Sequence, residues 1–169
     1  MNSIFLKDFQ RKPYVRDFQR KKVYRAEEKC SFWNIATVLD IQKVEMLVRL
    51  ISEWAEIPRP EIIEDGHQMV FATKDSIVLP YPASKTLPYI LHEMSHVINY
   101  NSKNADHHGV YFSETYLSVV REFIGVDASL ELQQSFEKHK VKYLPDLNNN
   151  PLHKTGERLK KLGISVVYF

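Results

Sequence analysis

The sequence predicts a single α+β domain over residues 1–169. Three observations carry that reading. Helical apolar periodicity runs up to residue 56, three short β-type segments with turn signals fill 61–80, and helical periodicity returns from 88 to 139. At 169 residues, with 44% apolar and 26% charged positions, the chain is large enough to bury one core. The net charge of +2 gives no reason to expect a polyanion as the main partner.

Each element has a local cause. Pro13 suits the first turn of a basic helix over 14–28, where Val15, Phe18, Val23 and Tyr24 recur at roughly helical spacing. Lys7, Arg11, Lys12, Arg16, Arg20, Lys21, Lys22 and Arg25 crowd this region against only Asp8 and Asp17. A solvated helix face is the plain interpretation, and contact with nucleic acid or an acidic partner is the sharper one. Asp40 is a good N-cap for a helix whose stripe is Ile41, Val44, Leu47, Val48, Leu50, Ile51 and Trp54, stopped by Pro58 and Pro60.

Segments 61–64, 69–72 and 76–79, separated by Asp65-Gly66 and Thr73-Lys74-Asp75, read as a small antiparallel meander. Pro80 and Pro82 mark the run 76–79 as an edge strand, able to receive an extended peptide by backbone pairing. Ser84 or Thr86 then caps a helix through 88–98, with Pro88 in its first turn. A polar loop covers 99–106. Another helix follows at about 109–124, with Gly125 as its C-cap, and Asp127 caps a last one to about His139. Residues 141–169 read as an irregular tail.

Cys30 is the one cysteine, so the chain forms no internal disulfide and no all-cysteine zinc site, and a packed thiol is expected. The first residues hold only a three-residue apolar run before a charge, and no stretch approaches ~18 apolar residues. A cytoplasmic location with no membrane partner is the expectation.

The chemistry lies in His92-Glu93-Met94-Ser95-His96. Two histidines one helical turn apart project from one face and fill two corners of a zinc tetrahedron. Glu93, displaced around the helix, faces a water activated by the ion and takes its proton. With 7 His and 13 Glu in the chain, the pattern arises by accident about 0.02 times, which favours a metal site over two core histidines. A third protein ligand is needed. His108, before Gly109 and at the start of a helix, is favoured over His107 and over Glu114, which sits at a thermolysin-type spacing. Asp106 is a candidate to orient a ligand ring. Tyr100, His107, Tyr111 and Tyr116 are candidates to donate to an oxyanion.

These residues resemble a family. His92-Glu93-Met94-Ser95-His96 followed by His108-Gly109-Val110-Tyr111-Phe112 is similar to the His-Glu-x-x-His plus His-Gly-x-x-Phe pattern of SprT-like zinc metallopeptidases. A closer likeness is to small metallohydrolases of phage and actinobacterial genomes. Their Arg-Asp-x-Gln-Arg-x-x-Val-Tyr segment stands here as Arg16-Asp17-Phe18-Gln19-Arg20-Lys21-Lys22-Val23-Tyr24. The likeness extends through 116–120 and covers about residues 14–125. It implies a zincin-like fold, Zn2+ on His92, His96 and His108, Glu93 as catalytic acid/base, and a polypeptide substrate. This chain departs from the pattern after Gly109, where the family often has Pro or a charge and Val110-Tyr111 stands here.

Overall fold

The computed structural model describes residues 17–64, 68–144 and 163. Its elements are helices α1 (Arg20–Glu27) and α2 (Ile41–Trp54), strands β1 (Glu61–Ile63), β2 (Phe71–Ala72) and β3 (Ser76–Val78), and helices α3 (Leu87–Asn101), α4 (Val110–Phe123) and α5 (Val126–Lys138). The α+β class is therefore observed. No helix among the described residues is long and apolar enough to cross a membrane.

Helix α3 is the hub. It packs against α2, α4, β2 and β3, and its buried residues run without a break from Ile90 to Val97. A helix enclosed on every side has no polar face to give to water, so His92, Glu93 and His96 are all in the interior. Thr86 takes the N-cap position but its side chain makes no capping bond; Pro88 stands in the first turn, as expected, and Ser84 closes a short 3-10 turn by donating to the Tyr81 carbonyl.

Helix α2 begins where expected, with the Asp40 carboxylate accepting from Lys43 N at 2.9 Å. Helix α5 does not. Gly125, at φ +152°, occupies both the end of α4 and the N-cap position of α5, and Asp127 lies inside the first turn. Only a residue without a Cβ takes that backbone angle readily, so the glycine and not the aspartate sets the corner.

Helix α1 starts at Arg20, not at Pro13, with the Asp17 carboxylate accepting from Arg20 N. The expected opening at residues 13–16 lies outside the described residues, as do the Asp65-Gly66 turn and nearly all of the tail over 141–169. Val23, Ala26, Glu27 and Cys30 form the buried stripe of this segment, which packs on α5. Cys30 is a packed thiol, pushed up to about 12 by burial and then by Glu131 and Glu27.

The sheet differs from the expected meander. Its order is β1-β3-β2, with β1 parallel to β3 (Ile62 opposite Ile77) and β2 antiparallel to it (Ala72 opposite Ile77). The run 76–79, expected at an edge, is the centre. The reason is burial: Ile77, Val78 and Leu79 are all in the interior, whereas β1 and β2 are half-buried or exposed. Thr73 closes a tight β2–β3 hairpin, its hydroxyl accepting from Asp75 N and Ser76 N. That leaves β1 the other flank of β3, where Leu79 N donates to Ile63 O at 2.8 Å.

Candidate metal centre

His92 and His96 sit one turn apart on α3, and the loop after α3 returns His108 to them just before α4 begins. His108 Nε2 stands 3.2 Å from His96 Nε2 and 3.3 Å from His92 Nε2, and all three rings are buried. Four nitrogens around a zinc ion at ~2.0–2.1 Å stand about 3.3–3.4 Å apart, the tetrahedral edge. The three histidines are thus spaced to hold a metal ion.

The outer nitrogens show which way the inner ones face. His92 Nδ1 lies 2.8 Å from the Glu27 carboxylate and His108 Nδ1 lies 2.6 Å from Asp17. An ionised carboxylate only accepts, so both Nδ1 atoms carry hydrogen and, in a neutral ring, Nε2 presents a lone pair. Two lone pairs aimed at one another across 3.3 Å repel unless a cation lies between them. That donor set fits a divalent ion, and the carboxylate–histidine arrangement is the usual one that orients ligand rings.

His96 is held differently. Its Nδ1 is buried without a hydrogen bond, and its ring is stacked between Phe112 (centroids 4.2 Å apart, planes at 28°) and Tyr100 (5.5 Å, 20°). Packing on two faces replaces the missing carboxylate as the orienting force.

Charge follows position. Burial draws His108 down to about 4, helped by His92 and opposed by Asp17. His96 falls well below the ordinary range through burial and then the positive charge of His92 and His108. Burial also acts against charge on His92, but the adjoining Glu27 carboxylate outweighs it and the net direction is upward. Metal binding at His92 therefore competes with a proton there. Glu93 is raised to about 7, chiefly by burial, with His92 opposing and Glu27 adding to it. One of its oxygens, Oε2, has no hydrogen-bond partner. A carboxylate poised near neutrality and uncommitted is suited to move a proton.

Of the other candidates, His107 and Glu114 do not join the cluster. The exposed His107 ring meets the Tyr100 hydroxyl at 3.1 Å through Nδ1, and Glu114 lines a separate cavity with Leu117 and Arg121. Asp106 orients no ligand ring; its carboxylate accepts from Tyr111 N and Phe112 N, two N–H groups that the first turn of α4 leaves free. Tyr116 is fully buried beside His92, out of reach of any substrate, and Tyr111 lines neither lobe of the cleft. Tyr100 and His107 do line it.

Three residues went unread in the sequence. Asp17 and Glu27 hold the ligand rings, and Tyr24 sits against both His92 (5.5 Å between centroids) and His108 (5.1 Å). Glu27 left a usable signal: it occupies an interior position in the apolar stripe Val23, Ala26, Cys30. A charged residue on a buried face needs a partner.

The cleft has two lobes of about 260 and 240 Å³, and Tyr24, Met69, Val70 and Glu93 line both. Comparison with protein-family models, with curated proteins and with solved structures found no match to this chain.

Proposed function

We propose that this chain is a zinc-dependent hydrolase cleaving peptide bonds, with a zincin-like arrangement of the kind found in SprT-like metallopeptidases, acting in the cytoplasm. One observation carries the reading: the Nε2 atoms of His92 and His96 stand 3.3 and 3.2 Å from that of His108, beside a buried carboxylate with an unpaired oxygen. Three imidazoles at that spacing suit zinc among the divalent ions. Bound there, zinc supplies a Lewis acid for the scissile carbonyl and a lowered pKa for a water in its open position.

The chain's own residues do the rest. Glu93 takes the proton of the attacking water and passes it to the leaving amine, a relay that a carboxyl near pH 7 makes in both directions. Glu27 and Asp17 keep His92 and His108 in the one tautomer that can ligate. Tyr24 lines both lobes, and with Tyr100 and His107 it is a candidate to donate to an oxyanion. Met69 and Val70 wall the cleft.

The test pairs metal content with turnover. Purified protein should hold close to one zinc per chain. The wild type should degrade unfolded casein, and Glu93→Gln should keep the metal and lose at least 100-fold in rate. Stoichiometric zinc with activity only toward non-peptide amides would move the assignment to another acyl substrate. Absence of bound metal would end it.

A further inference from the structure

The lobe of the cleft on the α1 side is lined quite differently from the metal side. Trp33, Tyr81, Tyr89 and Tyr24 supply its walls, and Glu28 stands at its rim. Trp33 and Tyr89 pack with centroids 5.3 Å apart and planes at 50°, forming an angled aromatic corner. Among the described residues no Lys or Arg lines this lobe. The carboxylates that line it are Glu27, which is engaged with His92, Glu93, and Glu28. The Glu28 carboxylate is exposed and makes no hydrogen bond or ion pair among the described residues. The Tyr89 phenol registers this surrounding: burial first, then Tyr81, then Glu27, Glu28 and Glu93 push it up.

We propose that this lobe is a substrate subsite selective for a basic side chain, an arginine or lysine lying in the Trp33–Tyr89 corner with its cation at Glu28. The proposal rests on the peptidase reading for its setting, and it names the substrate preference of that site. Aromatic walls with carboxylates at the end are the chemistry that recognises a cation on an apolar stem: the stem packs on the rings, the ring faces attract the charge, and the carboxylate completes it. A neutral apolar side chain would gain the packing but leave Glu28 unanswered. An acidic one would be repelled by the Glu28 carboxylate.

The experiment uses the zinc-loaded full chain carrying Glu93→Gln, so that nothing is cleaved, with Trp54→Phe so that Trp33 is the one remaining tryptophan. The probes are acetyl-Ala-Ala-X-Ala-Ala-amide peptides with X as arginine, lysine, norleucine, phenylalanine or glutamate. Binding is followed by Trp33 fluorescence and by calorimetry. The arginine and lysine peptides should bind about tenfold tighter than norleucine, with glutamate weakest. Glu28→Gln should erase most of that margin, and Glu28→Lys should reverse the order of arginine and glutamate. Equal or tighter binding of norleucine or phenylalanine would overturn the proposal. So would an order unchanged by Glu28→Lys, or no saturable binding of the arginine peptide at millimolar concentration. The same peptides given to the Glu93-containing protein separate the two ideas. Basic-selective binding without cleavage supports the subsite and counts against the peptidase. Cleavage at equal rates for all five peptides keeps the peptidase and removes the subsite.

Discussion

Replacing Glu93 by Gln should make the metal-free protein more stable at alkaline pH while abolishing turnover. Burial raises the Glu93 carboxyl from 4.5 to about 7 in the folded chain. Between those values the folded state holds a proton that the unfolded state has released. Stability from this group is therefore complete below 4.5 and is lost as pH rises through 7. The shift corresponds to about 3 kcal/mol of cost above pH 8. The amide removes the charge but still needs hydrogen bonds, so a net gain of about 1–3 kcal/mol is expected. The assay is urea unfolding of zinc-stripped wild type and Glu93→Gln at pH 8.5 and pH 4.5. Protonation of His96 and His108 destabilises both proteins alike on the acid side and cancels in the difference. The gain should be present at pH 8.5 and nearly vanish at pH 4.5. A variant no more stable than wild type at pH 8.5, or equally stabilised at both, would show that burial does not raise the Glu93 carboxyl in this way.

Other substitutions test the surroundings of the site. Glu27→Gln should weaken zinc affinity about 10–100-fold, read by competition with a chromophoric chelator, because a neutral amide accepts more weakly from His92 Nδ1 than the carboxylate does and can also turn its NH2 toward the ring. His108→Ala should lower zinc to well under one per chain by elemental analysis, whereas His107→Ala and Glu114→Ala should leave it unchanged. Asp106→Ala should cost about 1–2 kcal/mol in urea unfolding, since two N–H groups of α4 lose their acceptor. Gly109→Ala should do comparable damage, because an added methyl would run into the Asp106 side chain. In a Glu93→Gln background, metal-free stability should rise with pH between about 4 and 6.5, the window in which the unfolded chain protonates His108 and the folded one does not.

What the sequence disclosed depended on how locally each feature is encoded. The His92/His96 pair is fixed by helical pitch alone, and Asp40 with its stripe through Trp54 announces α2 within a dozen residues. His108 was legible because a loop of ten or so residues followed by a glycine-led helix leaves it few places to go. Strand order was not legible. Parallel pairing of Ile62 with Ile77 is a long-range choice, and the prolines after residue 79 argued for an edge when the burial of Ile77, Val78 and Leu79 demanded the centre. The ring-orienting carboxylates were out of reach for the same cause: Glu27 meets a histidine 65 residues on, and Asp17 one 91 residues on. Asp106, nearest in sequence, was the natural guess, and it is taken by the helix start beside it.

One side chain ties both ends of the described chain to the centre. Gln19 donates to the carbonyls of His108 and Lys142, and it accepts from Lys142 N. Asp17, two positions earlier, is thereby held in place by a residue that emerges from the ribosome more than a hundred positions later. A nascent polypeptide that has made only α1 to α4 possesses all three imidazoles but lacks this clasp. The fully oriented histidine cluster should consequently appear late in synthesis, after residue 142 has joined the fold.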